Sequence, residues 1–324
     1  MIFLGIDAGG SKAFFSLCDE HGRVLSTLRR PGFTPANTDE DAVYRLFSSG
    51  IQEMLREAGL GEELTAIRAA SGGMPCWGES DVQDAMVQRA MARCLGSVPF
   101  RLVNDSEVAW AGSFALNPGI NIVCGTGTIA FGVDPSGASV RCGGWSPYFS
   151  DEGSGHWLGR KLLELFCKQA DGRIAERGVV YALVREKFQL NSDFEIITIA
   201  ERDYLPYRDK LASLQLILLE AAKRGDPDAI ACYREAAHEI ALNAKGIKSR
   251  LRFDGPVDVS YSGGIFKVGE LVMAPFKEAL EAMDCRLATP LAPPWAGALM
   301  MALRLAGMDS PEAIASLIRA GSRE

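Results

Sequence analysis

Gly5-Ile6-Asp7-Ala8-Gly9-Gly10-Ser11-Lys12 joins two apolar runs through a glycine corner. The run before it, 2–6, leads into the carboxylate of Asp7, and the run after it covers 13–18. The turn Asp19-Glu20-His21-Gly22 follows, then a third run over 23–28. Strand, glycine corner, strand, Asp-x-x-Gly turn, strand reads as an antiparallel meander. Further on, Thr38 caps a helix running to about Ala58, where Gly59 stops it. Residues 65–71 read as a buried strand broken at Gly72-Gly73, 80–95 as a helix ending at Gly96, and 99–104 as a short strand. A helix opens near Asp105.

The opening pattern then returns. Residues 120–124 are apolar, Gly125-Thr126-Gly127-Thr128 forms a corner, 129–133 is a strand, and Asp134-Pro135-Ser136-Gly137 forms a turn. A displacement of 115 positions lays Gly10 on Gly125, Asp19 on Asp134 and Gly22 on Gly137. The order repeats although few identities do, which points to a duplicated unit. Residues 154–250 carry helical spacing and caps. The strand pattern resumes at Val257-Asp258-Val259-Ser260-Tyr261 and breaks at Ser262-Gly263-Gly264. A helix over about 266–283, a short strand at 285–288 and an apolar helix from Trp295 to about Leu305 complete the chain. The Asn117-Pro118-Gly119 segment separates the halves: 1–116, joined by a C-terminal helix at about 295–324, and 117–294 with a helical insertion.

The 324 residues suffice for two domains with large cores. Hydrophobic residues at 48% and charged residues at 23% exclude disorder. A net charge of −7 gives no global attraction for nucleic acid or anionic membrane, so any phosphate must be held locally. None of the eight cysteines forms a CxxC pair, and three histidines are too few for a Cys/His metal cluster. Reduced thiols, no signal peptide and no 18-residue apolar run give the expectation of a cytoplasmic protein.

A glycine pair between strands can make the turn or expose amides to an anion. Taken alone, Gly9-Gly10 and Gly125-Thr126-Gly127 read first as turn chemistry. Asp7 and Lys12 shift that balance, since a carboxylate, hydroxyls and a lysine beside glycines suit phosphate with Mg²⁺. Neither corner is a Walker A loop, which needs a helix where strands follow here.

The segments Gly5–Lys12, Cys124-Gly-Thr-Gly-Thr128 and Tyr261-Ser-Gly-Gly264 resemble the two phosphate motifs and the adenosine motif of the sugar kinase, Hsp70 and actin superfamily. Gly143-Gly-Trp-Ser-Pro147 and Ser150-Asp-Glu-Gly-Ser-Gly-His-Trp157 resemble the N-acetylglucosamine kinase branch, grouped with the BadF/BadG/BcrA/BcrD ATPase family. The resemblance implies an α/β fold of two ribonuclease-H-like, actin-like ATPase domains facing a cleft, with the helix near 295–306 packed on the first. It implies ATP and Mg²⁺, with nucleotide on Asp7, Gly9, Gly10, Ser11, Lys12, Gly125, Thr126, Gly127, Gly263 and Gly264, and with Asp7 holding the metal through water. It also implies a small amino sugar as acceptor, no nucleic acid or membrane partner, and is compatible with a homodimer.

Asp105 is as readily a helix N-cap as a general base when read from the residues alone. The resemblance makes it the base, since Asn104-Asp105-Ser106 falls where the kinases carry theirs. Asn37, Ser71, Thr128, Asp151 and Gly155 match sugar-side positions, and Trp145 is a candidate for shaping the pocket. Ile129 stands where the mammalian enzyme has a substrate-binding asparagine, and Met74-Pro75-Cys76-Trp77 also departs from it. Both leave glucosamine open beside N-acetylglucosamine. The alternatives are an activator ATPase of acyl-CoA dehydratases or reductases, for which Cys124 is the one candidate cluster ligand, and an actin- or Hsp70-like assembly protein.

Glycine is in surplus: 34, about one residue in ten against ~7% ordinarily. Six pairs fall in the motifs: 9/10, 72/73, 125/127, 143/144, 153/155 and 263/264. Setting those twelve aside leaves 22, close to the ordinary ~7%. The surplus therefore marks where backbone approaches phosphate or sugar.

Overall fold

A computed structural model describes residues 1–61, 64–174 and 177–322. In chain order its elements begin with β1 (Ile2–Ala8), β2 (Lys12–Asp19), β3 (Val24–Pro31), α1 (Glu40–Glu57) and β4 (Ile67–Met74). There follow α2 (Asp81–Leu95), β5 (Phe100–Asn104), α3 (Asp105–Phe114), β6 (Gly119–Cys124), β7 (Thr128–Val133) and β8 (Ser139–Gly143). Six helices come next: α4 (Gly155–Ala170), α5 (Val179–Phe188), α6 (Glu195–Asp203), α7 (Arg208–Ser213), α8 (Gln215–Lys223) and α9 (Pro227–Lys248). The chain closes with β9 (Val257–Ser262), α10 (Glu270–Glu281), β10 (Cys285–Leu287), α11 (Pro294–Leu305) and α12 (Pro311–Gly321).

The chain divides into two compact units, Met1–Asn121 with Thr289–Glu324, and Ile122–Ala288. The division falls inside β6. The sheet of the first unit has the order β3-β2-β1-β4-β5, and the second sheet runs β10-β9-β6-β7-β8. Read from the other edge, the second order is the first with each strand replaced by its counterpart five places on. The duplication extends to single hydrogen bonds. Asp19 Oδ1 accepts from the amides of His21 (3.0 Å) and Arg23 (2.9 Å), and Asp134 Oδ1 accepts from those of Ser136 (2.9 Å) and Ala138 (3.1 Å). Gly22 and Gly137 close the two turns at φ +70° and +86°, a backbone region that suits glycine.

In the first unit, β1 lies antiparallel to β2 and parallel to β4, and β4 lies parallel to β5. One side of α1 presents Val43, Phe47, Ile51, Met54 and Leu55 to the core, each worth about 1.5–3 kcal/mol if fully buried. Phe47 meets Phe15 of β2 and Phe33 at centroid distances of 5.8 and 5.6 Å. In the same unit α11 packs against β1, β4 and α3. Gly5 permits that approach, since a Cβ there would lie 2.7 Å from the Leu299 amide nitrogen.

Three boundaries differ from the sequence reading. The strand expected to break at Gly72-Gly73 runs through both glycines to Met74, because they keep pairing with Leu102 and Val103 of β5. Asp39, not Thr38, caps α1, accepting from the Ala42 amide at 2.7 Å while Thr38 stays extended. The helix expected over 266–283 is a 3₁₀ turn, Ile265–Val268, followed by α10, because Gly269 at φ +86° interrupts the helical path.

Candidate active site

In the first unit the parallel strands β1 and β5 deliver Asp7 and Asp105 toward their carboxyl ends, where ligands of α/β sheets bind. Asp7 pairs with Phe14 on one side and Gly73 on the other. Burial pushes its carboxyl up to about 6, partly offset by the Lys12 ammonium. The corner beyond it is fixed by its own backbone: the Gly9 amide donates to Lys12 O (2.8 Å), and Gly9 O accepts from the Phe33 amide (3.2 Å). The amides of Gly10 and Ser11 make no hydrogen bond among the described residues. Lys12 Nζ lies 5.1 Å over the Phe14 ring.

Asp105 is not the cap of its helix. Asn104 caps α3, its Oδ1 accepting from the Ser106 amide at 3.1 Å and its Nδ2 donating to Trp77 O at 3.0 Å. Asp105 is the first helical residue, where a helix N-terminus favours the ionised carboxylate. Its Oδ2 lies 3.9 Å from where a Cβ on Gly9 would sit, so the candidate base and the first glycine corner are neighbours. Ser71 is buried inside β4 with its hydroxyl unpartnered among the described residues, and Asn37 is exposed in a 3₁₀ turn, Pro35–Asn37.

In the second unit the corner 125–127 is held by the start of α4. The Gly155 amide donates to Gly125 O (2.8 Å) and the His156 amide to Thr126 O (3.2 Å). Asp151 is buried at φ +63°. Its Oδ1 accepts from the Thr128 amide at 3.0 Å, and its Oδ2 from Arg208 Nη2 at 2.5 Å. Arg208 opens α7, distant in sequence from every motif, and the sequence reading does not include it. The Thr128 hydroxyl lies 3.2 Å from Cys124 Sγ and is buried with it. Trp145 is 77% exposed. The buried His156 has an unpartnered Nδ1 and a pKa lowered by burial and by the Arg208 charge.

The twelve motif glycines separate into two classes. Gly72 and Gly73 are filled by neighbours: added Cβ atoms would lie 2.5 Å from Met74 Cε and 2.4 Å from Val108 Cγ2. Gly127 would meet Arg208 Nη2 at 2.2 Å, and Gly155 would meet Gly125 O at 3.2 Å and Ala212 Cβ at 3.3 Å. Gly143, Gly144, Gly153 and Gly263 have positive φ. That accounts for eight through packing or backbone conformation, which corrects the reading that all twelve mark ligand. Gly9, Gly10, Gly125 and Gly264 remain. None has φ in the left-handed region, and no protein atom comes nearer than 3.7 Å to a Cβ built on any of them. These four leave room that the protein does not fill: Gly9 and Gly10 in the first unit, Gly125 and Gly264 in the second.

Cys124 does not suit an iron–sulfur cluster. It is wholly buried, bonded to Thr128, and burial pushes its thiol up to about 12, whereas a cluster ligand is a thiolate. No group of three His, Cys, Asp or Glu that could hold a metal occurs among the described residues.

Residues 4–302 match the family model of the BadF/BadG/BcrA/BcrD ATPases. The chain belongs to this ATPase family. Among its relatives, the N-acetylmuramic acid/N-acetylglucosamine kinase of Clostridium acetobutylicum is 29% identical over 266 residues, covering 81% of this chain and 84% of that protein. The N-acetyl-D-glucosamine kinase of Dictyostelium discoideum is 28% identical over 273 residues, covering 81% and 85%. In fold, the chain is similar to the crystal structure of a protein from Chromobacterium violaceum described as an N-acetylglucosamine kinase. The TM-score is 0.75 at 21% identity, covering 93% of this chain and 98% of that one. Membership explains the order of the motifs and makes ATP use a property of the family.

Proposed function

We propose that this protein is an ATP-dependent kinase of an amino sugar, with Asp105 as general base. The observation that carries the reading is the placement of Asp105 beside the open Gly9–Gly10 corner, in the same unit as Asp7. A sugar hydroxyl attacks the γ-phosphorus; the new O–P bond forms as the bond to ADP breaks, and Asp105 takes the hydroxyl proton. Free amides at Gly10 and Ser11, with Lys12, supply local positive potential that a chain of net charge −7 lacks globally. Mg²⁺, held through water by Asp7, would neutralise phosphate charge.

The second corner, Gly125-Thr126-Gly127, takes phosphate in the same way, and the open Gly264 beside it belongs to the nucleoside side. On the sugar side, Asp151 is a buried carboxylate held by the Thr128 amide and Arg208, with acceptor capacity beyond those two bonds for a hydroxyl that reaches it. Asn37 and Trp145 are accessible for sugar contact, whereas Ser71, Thr128 and Gly155 act by shaping the backbone around it. The relatives act on N-acetylglucosamine and N-acetylmuramic acid by name. A coupled ADP-release assay over those two sugars, glucosamine, N-acetylmannosamine and glucose tests the reading. Stimulation by an amino sugar, abolished in Asp105→Asn while ATP still binds, is expected. ADP release indifferent to every sugar would overturn it.

A further inference from the structure

We infer that Arg208 is a phosphate-binding residue of the second glycine corner, tethered there by Asp151; the inference rests on the kinase reading above. The route by which Arg208 reaches the corner is built into the packing of α7 on α4. A Cβ on Gly159 would sit 2.0 Å from Leu211 O, and one on Gly155 would sit 3.3 Å from Ala212 Cβ. Two glycines four residues apart on α4 thus let α7 lie against it, backbone to backbone. A third glycine, Gly127, leaves the space into which the guanidinium fits, since a Cβ there would lie 2.2 Å from Arg208 Nη2.

Three glycines opening the way for one arginine is a construction that a surface ion pair does not need. Exposed pairs contribute little to stability, and this pair is lopsided: the Asp151 side chain is 1% exposed and that of Arg208 is 49% exposed. Asp151 takes a single Arg208 nitrogen, Nη2, and is fixed from its other oxygen by the Thr128 amide. Nε and Nη1 make no hydrogen bond among the described residues. A guanidinium engaged at one nitrogen keeps its other donors for a second partner, and phosphate oxygens match its fork geometry. The open room at Gly125, in the same corner as Gly127, is where such a phosphate would sit within reach of Arg208.

Asp151→Asn would loosen the tether itself, so the decisive comparison keeps Asp151 and replaces Arg208, with Gln leaving the buried carboxylate an N–H donor. Dissociation of a fluorescent ATP analogue with Mg²⁺, in the absence of sugar, is measured for the wild type, Arg208→Gln, Arg208→Lys and Asp151→Asn, with thermal unfolding of each to establish that it is folded. Arg208→Gln is expected to weaken binding by about tenfold or more relative to the wild type, the loss of one charge-assisted hydrogen bond. Arg208→Lys should fall between, keeping charge without the fork, and Asp151→Asn should also weaken binding because it frees the guanidinium. Equal affinity of the wild type and folded Arg208→Gln, within twofold, overturns the inference alone. A wild-type protein that binds no ATP overturns the kinase reading and the inference with it.

Discussion

Gly125→Ala separates a glycine kept for a ligand from one kept for the fold. The nearest protein atom to a Cβ at Gly125 is the Gly264 amide nitrogen at 4.0 Å, and φ at Gly125 lies outside the left-handed region. Alanine therefore meets no clash and restricts the unfolded chain, a change worth about +0.4–1 kcal/mol of stability. For a protein of this size that raises Tm by about 1–4 °C. The same methyl occupies the space assigned to phosphate, and each charge-assisted hydrogen bond it displaces costs about 1.5–3 kcal/mol, so ATP affinity should fall by at least about tenfold. Gly127→Ala is the contrast. Its Cβ would lie 2.8 and 3.0 Å from the two oxygens of the buried Asp151 carboxylate and would push Arg208 off it, so overpacking should cost about 1–3 kcal/mol and lower Tm. Thermal unfolding of both variants, with equilibrium binding of a fluorescent ATP analogue to the folded protein, reads both quantities. If Gly125→Ala binds ATP as the wild type does, the open glycines have no connection with nucleotide. If it is destabilised like Gly127→Ala, the space beside Gly125 is not open.

Asp105→Asn should reduce turnover by about 10²–10⁴-fold with nucleotide affinity unchanged, as seen by pairing steady-state kinetics with ATP binding. Gly159→Ala should destabilise by about 1–3 kcal/mol in urea unfolding, because Leu211 O of α7 would lie 2.0 Å from the new methyl; unchanged stability would mean α7 does not lie that close. The lowered pKa of His156 means that below pH 6.5 the unfolded chain takes up the proton more readily than the folded one. Stability should accordingly fall as pH drops through that window, and His156→Gln should flatten the slope between urea unfolding at pH 7.5 and at pH 5.5.

The meander and its repeat were legible because strand, corner and turn signals are local, whereas the order of the strands in each sheet came only from the structure. The Asp-x-x-Gly corners needed only Asp19, Gly22 and their counterparts 115 positions on, and the structure repeats their hydrogen bonds. The candidate site was legible where a carboxylate sits at the end of a strand or just past it: Asp7 near the end of β1, and Asp105 directly after β5, the latter singled out as a base only through the resemblance. It was not legible where chemistry arrives from elsewhere in the chain. Arg208 carries no motif of its own, and only the packing of α7 on α4 brings it to Asp151. Glycine was the second blind spot. A sequence cannot distinguish a glycine that yields to Val108, as Gly73 does, from one that yields to nothing in the protein, as Gly264 does. Trp145 shows the same limit, since the letters GGW do not state that the ring is exposed.

The two units are copies that have diverged unequally. Among the described residues, the first carries one long helix between its third and fourth strands, within 32–66, whereas the second carries six helices, within 144–256. Asp151, His156 and Arg208 all lie in that longer segment, while the open corners belong to the shared strand pattern. On the proposed function and the inference drawn from it, the longer segment adds to the duplicated corners an acceptor contact, Asp151, and a phosphate contact, Arg208, without altering the strands that form those corners. Change within 144–256 is then free to retune both contacts while the shared strand order stays as it is.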